Sequence, residues 1–334
     1  MLLYSFYLVI FLIYFIAITI TSEKNNLRIL LTGGSGLLAG RLAEFICKHN
    51  NVTLLSRKNI KNILDTNSFN RINYQNQSDL NQDMIDHDVI IHASGPNATD
   101  SNDANISKKY YEESKRLIDM ASISKNVKKF IFLSSIRVVS ENYQGIITEN
   151  MIVNPSSEYG KLKHAVETYL YTKKSENNMS KIILRISNGY GYPMHNLSDC
   201  WNLVVMNVCK QAIENGEIKL KSSGQSYKDF IPISTIVKVV NDIAMDKNLD
   251  SNEIFNVSSG KSSKVIDFVN KIKSKLDFKL SKKIKVSLDY SDSRLPTSNF
   301  TIDNSKIRNH QYIDILDHDE EINKLIDFCI NNFK

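Results

Sequence analysis

The stretch LRILLTGGSGLLAG, residues 27–40, reads as a short apolar strand that turns through glycines straight into a helix. The strand runs from Arg28 to Leu31, and the helix opens near Leu37. Gly33 suits the tight turn out of the strand, and Gly36 lets the backbone approach a pyrophosphate. The helix opening there aims N–H groups and the positive end of its dipole at that anion. Ala39 takes the third small position, where helix and strand pack closely. These residues assign Gly33, Ser35, Gly36, Leu37 and Leu38 to a bound dinucleotide, the bland alternative being an ordinary strand-to-helix turn.

Outward from this turn, short apolar runs alternate with longer amphipathic stretches. The strands are Arg28 to Leu31, Val52 to Leu55, Val89 to His92, Phe130 to Ser134, Ile182 to Arg185 and, later, Ile254 to Val257. Between them, Leu38 to His49, Lys109 to Ser124 and Tyr159 to Ser175 have helical patterning. Crossovers of that length belong to β-α-β units, so the fold is α/β, a doubly wound parallel sheet of the Rossmann type. The reading gives the dinucleotide-binding domain residues 27–188, with 228–260 returning to it. Segments 189–227 and 262–334 form a smaller substrate-binding lobe over the sheet's C-terminal edge, where such folds hold ligands.

Composition narrows the partners. The 334 residues carry 42% apolar side chains, enough for a large core plus a lobe. The net charge of +6 is scattered, without a basic stripe that tracks phosphates, so nucleic acid is not a partner. The four cysteines form no CxxC pair, so neither a metal site nor a disulfide framework is indicated, and a reducing compartment fits. Residues 1–22 are an uncharged apolar run long enough to span about 30 Å of hydrocarbon. Its start lacks basic residues and its end lacks small ones, which favours an uncleaved membrane anchor over a signal peptide. Lys24 and Arg28 follow the run, placing the catalytic domain in the cytoplasm. A start codon set too far upstream would give a plain cytoplasmic protein instead.

At the end of the second strand, Ser56 and Arg57 stand where NAD enzymes carry an acidic residue for the ribose 2′-OH. They suit a 2′-phosphate and tilt the cofactor toward NADP over NAD. Asp79 and Leu80 read as contacts on the adenine side.

Oxidising an alcohol, or reducing a carbonyl, needs a group that trades the hydroxyl proton. Tyrosine serves when its phenol is brought from about 10 toward neutrality, which takes roughly 4 kcal/mol of differential stabilisation. A lysine four residues on along a helix shares its face and supplies charge. YxxxK occurs three times here, at Tyr111 and Lys115, Tyr159 and Lys163, and Tyr169 and Lys173. Only Tyr159 opens a helix after Pro155, Ser156 and Ser157 and follows a serine, Ser135, at a strand's C-terminal end. That hydroxyl is placed to orient a substrate oxygen. Ser135, Tyr159 and Lys163 are the candidate catalytic set.

Ordered motifs now carry a family resemblance over nearly all of the chain from Leu27 onward. They are TGGSGLLAG at 32–40, DVIIHASG at 88–95, KKFIFLSS at 128–135, PSSEYGKLK at 155–163, LRISNGYG at 184–191 and KDFIPIS at 228–234. The chain resembles the extended short-chain dehydrogenases, the NAD-dependent epimerase/dehydratase family. The resemblance implies that Ser135, Tyr159 and Lys163 are catalytic, that Lys163 also binds the nicotinamide ribose, and that Ala93 and Ser94 line the cofactor. It further implies a nucleotide-sugar substrate with Asn188, Lys228 and Arg294 near its diphosphate, and a homodimer through the helices 109–124 and 159–175.

Departures from the pattern shape the chemistry. Sugar dehydratases of the family place an acidic pair after the catalytic hydroxyl; here Ile136 and Arg137 follow it, which disfavours dehydration. Val139 and Tyr110 replace an aromatic residue and an asparagine usual in relatives. What remains is a nucleotide-sugar epimerase or keto reductase serving surface polysaccharide synthesis. The competing readings are a reductase of small non-sugar alcohols and a non-catalytic NAD(P) sensor. His195 is either an additional acid or a loop residue, and His92 reads as a satisfied core histidine.

Overall fold

The computed structural model describes residues 26–66, 72–76, 81, 85–140, 144–291, 297–313 and 317–334. Its centre is a sheet of seven parallel strands: β1 (Arg28–Thr32), β2 (Asn51–Ser56), β3 (Ile72–Asn76), β4 (Val89–His92), β5 (Lys129–Ser135), β6 (Ser180–Ile186) and β7 (Glu253–Val257). The spatial order is 3-2-1-4-5-6-7, which reverses between β1 and β4 and opens the crevice at their C-terminal ends. Every strand named from the sequence is present. β3 was not named.

Alternation along the strands sorts side chains into two cores. Ile29, Leu31, Ile91, Ile131, Ile182 and Leu184 face one side, where α1 (Leu37–Ile46) brings Ala39, Leu42 and Ile46. Leu30, Ile90, Phe130, Phe132 and Ile183 face the other, against α2 (Ala104–Ile123) and α3 (Glu158–Thr172), which supply Leu117, Ile118, Leu162, Val166 and Leu170. Each fully buried apolar side chain contributes about 1.5–3 kcal/mol. The Asp103 carboxylate accepts from Asn105 N–H at 2.8 Å and Ile106 N–H at 3.2 Å, so α2 starts five residues before the expected Lys109.

A third core belongs to the lobe. Val205, Val208 and Cys209 of α4 (Val204–Asn215) meet Phe268 and Ile272 of a helix at Val265–Leu280, and Ile322, Leu325 and Ile326 of the last helix, His318–Phe333. The division differs from the expected one in two places. Phe230, from the returning segment, joins the lobe core, whereas Ile307, Tyr312 and Ile313, from the lobe segment, pack into the sheet core beside α5 (Ile233–Met245). The chain has to leave the lobe once more to cover the apolar side of α5 and β7.

All four cysteines are buried, and none is in a disulfide. Among the described residues no helix is long and apolar enough to cross a membrane. The anchor expected at 1–22 lies outside the described residues, as do Asp79, Leu80 and Arg294.

Candidate active site

Gly33 leaves β1 at φ +85, and a side chain there would stand 2.9 Å from the Ser94 backbone. Only glycine allows both the left-handed turn and this approach of the first loop to the end of β4. Gly34 N–H then donates to Leu55 C=O at 2.9 Å, and Gly36 N–H to Gly33 C=O at 2.8 Å. α1 starts at Leu37 with no side-chain cap and no acidic residue in its first turn. The first-turn N–H groups, those of Leu37 and Leu38 among them, are thus left as an anion-binding end, while that of Gly36 is spent on Gly33 C=O. Thr32 and Ser94 share a buried hydrogen bond at 3.1 Å.

Ser56 ends β2 buried, its hydroxyl without a partner, and Arg57 emerges beside it. Arg57, Ser94, Gly95, Pro96, Lys109 and Tyr110 line one cleft between the ends of β2 and β4 and the start of α2. Ala93, half-buried, packs toward the sheet core at the same strand end. An orphaned buried hydroxyl, a cleft that carries Arg57 and Lys109 beside Glu113, and the glycine cradle fit the adenosine half and diphosphate of a dinucleotide.

Across the crevice, Ser135 terminates β5 and Ser157 caps α3, its hydroxyl accepting from Gly160 N–H at 3.1 Å. This brings Tyr159 to Ser135; burial holds the phenol's pKa above its ordinary value, against the opposing pull of the Arg137 charge and the Ser135 hydrogen bond. Lys163 is buried, 5.9 Å from the centre of the Tyr159 ring, and donates to Leu133 C=O at 3.1 Å. Burial brings its ammonium down to about 8. A side chain on Gly95 would stand 3.2 Å from Lys163 Nζ, so this lysine faces the same β4 loop as the dinucleotide cradle. The structure thus gathers Ser135, Tyr159 and Lys163 opposite the glycine loop.

The other two YxxxK pairs go elsewhere. Tyr169 Oη donates to Asp119 at 2.6 Å, Lys173 pairs with the same carboxylate at 2.5 Å, and Lys115 lies 5.5 Å from both the Tyr111 and Tyr169 rings. They make one cluster on the outer seam of α2 and α3.

Residues 29–258 match the NAD dependent epimerase/dehydratase family. The chain belongs to this family. UDP-glucuronic acid decarboxylase 1 of Xenopus tropicalis is 24% identical over 268 residues, 75% of this chain and 61% of that protein. The chain thus spans about three fifths of such relatives. The uncharacterized UDP-glucose epimerase YtcB of Bacillus subtilis is 26% identical over 264 residues, 74% of this chain and 81% of that one. In fold, the chain is similar to the UDP-glucuronic acid 4-epimerase of Bacillus cereus, solved with UDP-glucuronic acid and NAD. The TM-score is 0.78 at 19% identity, covering 91% of this chain and 99% of that one.

Other residues of this epimerase/dehydratase chain fall into place around the set. His92 is satisfied on both sides, by Thr32 Oγ1 at 2.8 Å and Ser114 Oγ at 3.0 Å, and burial with the Lys163 charge pushes it down to about 3. His195 is buried with neither ring nitrogen partnered. Its loop packs Met194 against Gly40 of α1, and the charge that depresses its pKa further is Lys58, beyond β2. That places it with the glycine loop. Asn188 donates to Asp229 C=O at 2.9 Å, and Lys228 sits half-buried on the neighbouring strand, Tyr227–Pro232.

Two arrangements were missed from the sequence. Asp229 is buried and accepts from Ser187 Oγ, Ser259 N–H and Oγ, and Lys261 N–H, so it ties two distant segments to the strand that carries Lys228. Glu167, one turn beyond Lys163, takes the Arg185 guanidinium at 2.9 Å and the Ser134 hydroxyl at 2.5 Å. Its charge raises the Lys163 pKa against the effect of burial. The KxxxE spacing was the only available signal.

Proposed function

We propose that this chain is an NAD(P)-dependent nucleotide-sugar epimerase or keto reductase with Tyr159 as its acid/base. The observation that carries the proposal is the meeting of Ser135, Tyr159 and Lys163 opposite an uncapped glycine-loop helix. A nicotinamide held there would take hydride from the carbon as it is oxidised and return it on reduction. Ser135 holds the sugar hydroxyl at the end of β5. Tyr159 accepts that hydroxyl's proton as the carbon is oxidised and returns it on reduction. Lys163 holds charge beneath the phenol and is positioned for the nicotinamide ribose. Gly33, Ser35, Gly36, Leu37 and Leu38 embrace the diphosphate.

Ser56 and Arg57 support NADP over NAD, since the guanidinium at the cleft mouth suits a 2′-phosphate. Names of relatives and structural neighbours, decarboxylase and epimerases acting on UDP-sugars, support a nucleotide-sugar substrate, for whose diphosphate Asn188, Lys228 and Arg294 are the candidates. Ile136 and Arg137, in place of an acidic pair, support epimerisation or reduction over water elimination. The uncharged run 1–22 supports a membrane anchor, tested by whether the full chain pellets with membranes and resists alkaline extraction.

The decisive assay incubates the full chain with NAD or NADP and a panel of UDP-, GDP- and dTDP-sugars and reads products by NMR. Tyr159→Phe is expected to lose about 10²–10⁴-fold in turnover. Full turnover in that variant would overturn the assignment.

A further inference from the structure

Two cations flank the Tyr159 ring at nearly equal range: Lys163 Nζ at 5.9 Å and Arg137 Cζ at 5.8 Å from its centre. They are held differently. Lys163 is buried and spends a hydrogen bond on Leu133 C=O. Arg137 is half-buried in the single turn that follows β5, Ile136–Val138. Its N–H donates to Ser135 Oγ at 3.3 Å, and its carbonyl lies so close to Gly160 that a side chain there would begin 2.6 Å away. The backbone of residue 137 is therefore indexed at both ends, to the hydroxyl beside Tyr159 and to the residue after it. Substituting Gly160 would push the turn away.

We propose that Arg137 is a positioning residue for Tyr159, a positive charge carried on the turn after β5 that favours the phenolate. The proposal rests on the acid/base reading of Tyr159. Among the described residues, the charged and titratable groups facing the phenol are Arg137 from the turn, Lys163 from α3 and Tyr110 from α2, with Ser135 as hydrogen-bond partner. Glu158, the neighbour of Tyr159, pairs with Lys161 at 2.7 Å. Burial holds the phenol's pKa above its ordinary value; the attractions that oppose it come first from Arg137 and then from Ser135. Lys163, at about 8, loses its charge in mildly alkaline solution, whereas guanidinium groups keep theirs wherever proteins stay folded. The residue that stands where dehydratases of the family carry an acidic side chain thus serves proton abstraction.

The test replaces tyrosine throughout the full chain with difluorotyrosine, whose phenol ionises well below tyrosine's, and follows ionisation by fluorine NMR. The resonance missing in Tyr159→Phe identifies the site. In Arg137→Gln the Tyr159 midpoint is expected to rise by about one pH unit, and Arg137→Lys is expected to restore at least half of that rise. Arg137→Met repeats the measurement should the glutamine variant melt early. Equal midpoints in the wild type and in the neutral variants would overturn the proposal. Turnover separates the two claims: an active Tyr159→Phe sinks the acid/base reading, while an inactive one with an unmoved midpoint sinks only the role of Arg137.

Discussion

Removing the carboxylate of Glu167 is the most severe single change the site predicts for stability. Both partners of the Glu167 and Arg185 pair are 4% exposed, and Arg185 also donates to Glu149 C=O at 3.2 Å. Glu167→Ala leaves a guanidinium buried with one carbonyl, and breaking a pair in that way costs about 3–5 kcal/mol. For a chain of this size that corresponds to a fall in Tm of roughly 4–7 °C. The Glu167 pKa is lowered in the folded state, the Arg185 guanidinium and the Ser134 hydroxyl helping to outweigh its burial. The pair's contribution is therefore present above the unfolded carboxylate range and lost as pH falls through the folded value. Thermal melts at neutral and at acidic pH measure both. The double change Glu167→Leu with Arg185→Met removes both charges and is expected to recover most of the loss. A fall of under about 1 kcal/mol in Glu167→Ala, or a double variant no better than the single, would refute the claim that the buried charge sets the cost.

Three further outcomes follow from the same geometry. Gly33→Ala adds about 1–2 kcal/mol of backbone strain and a clash with the Ser94 backbone, so titration by NADH fluorescence is expected to show binding at least about tenfold weaker. Arg57→Ala is expected to raise the Kd for NADPH about 10- to 100-fold while leaving NADH unchanged, read by the same titration. Since Lys163 is charged below about 8 and neutral above it, dinucleotide affinity should hold steady on the acidic side and decline as pH rises through that value. A Lys163→Met variant should bind more weakly with no such slope.

The sheet was legible because buried parallel strands are continuous apolar runs, as in KFIFLSS or SKIILRI. β3, INYQN, is an edge strand with little to bury, so its residues carry no such run. The start of α2 was placed late because its first turns, ANISKK, are polar and exposed; only the Asp103 cap marks them. Tyr159 stood apart from the other two YxxxK tyrosines by its serine partners, and the structure gives Tyr169 and Lys173 a shared carboxylate, Asp119, which no spacing rule announces. Glu167 with Arg185, and Asp229 with Ser187, Ser259 and Lys261, pair residues from different elements, so they become visible only once the chain is folded. Arg137 was noted as a departure from a pattern; its distance to the Tyr159 ring turned that departure into chemistry.

The sheet also sets a schedule for synthesis. β6 is buried along its whole length, with β5 on one edge and β7 on the other. β7 begins at Glu253, after the first passage through the lobe and after α5. A ribosome moving at about 5–20 residues per second needs several seconds to deliver it. During that interval the nascent sheet ends in a long apolar strand with an open row of backbone donors and acceptors, the kind of edge that recruits other chains. A ribosome stalled between residues 187 and 252 would release a product with a nearly complete dinucleotide fold and a sticky border. Chaperone demand for this protein should therefore concentrate in that window, and it should disappear once the seventh strand is in place.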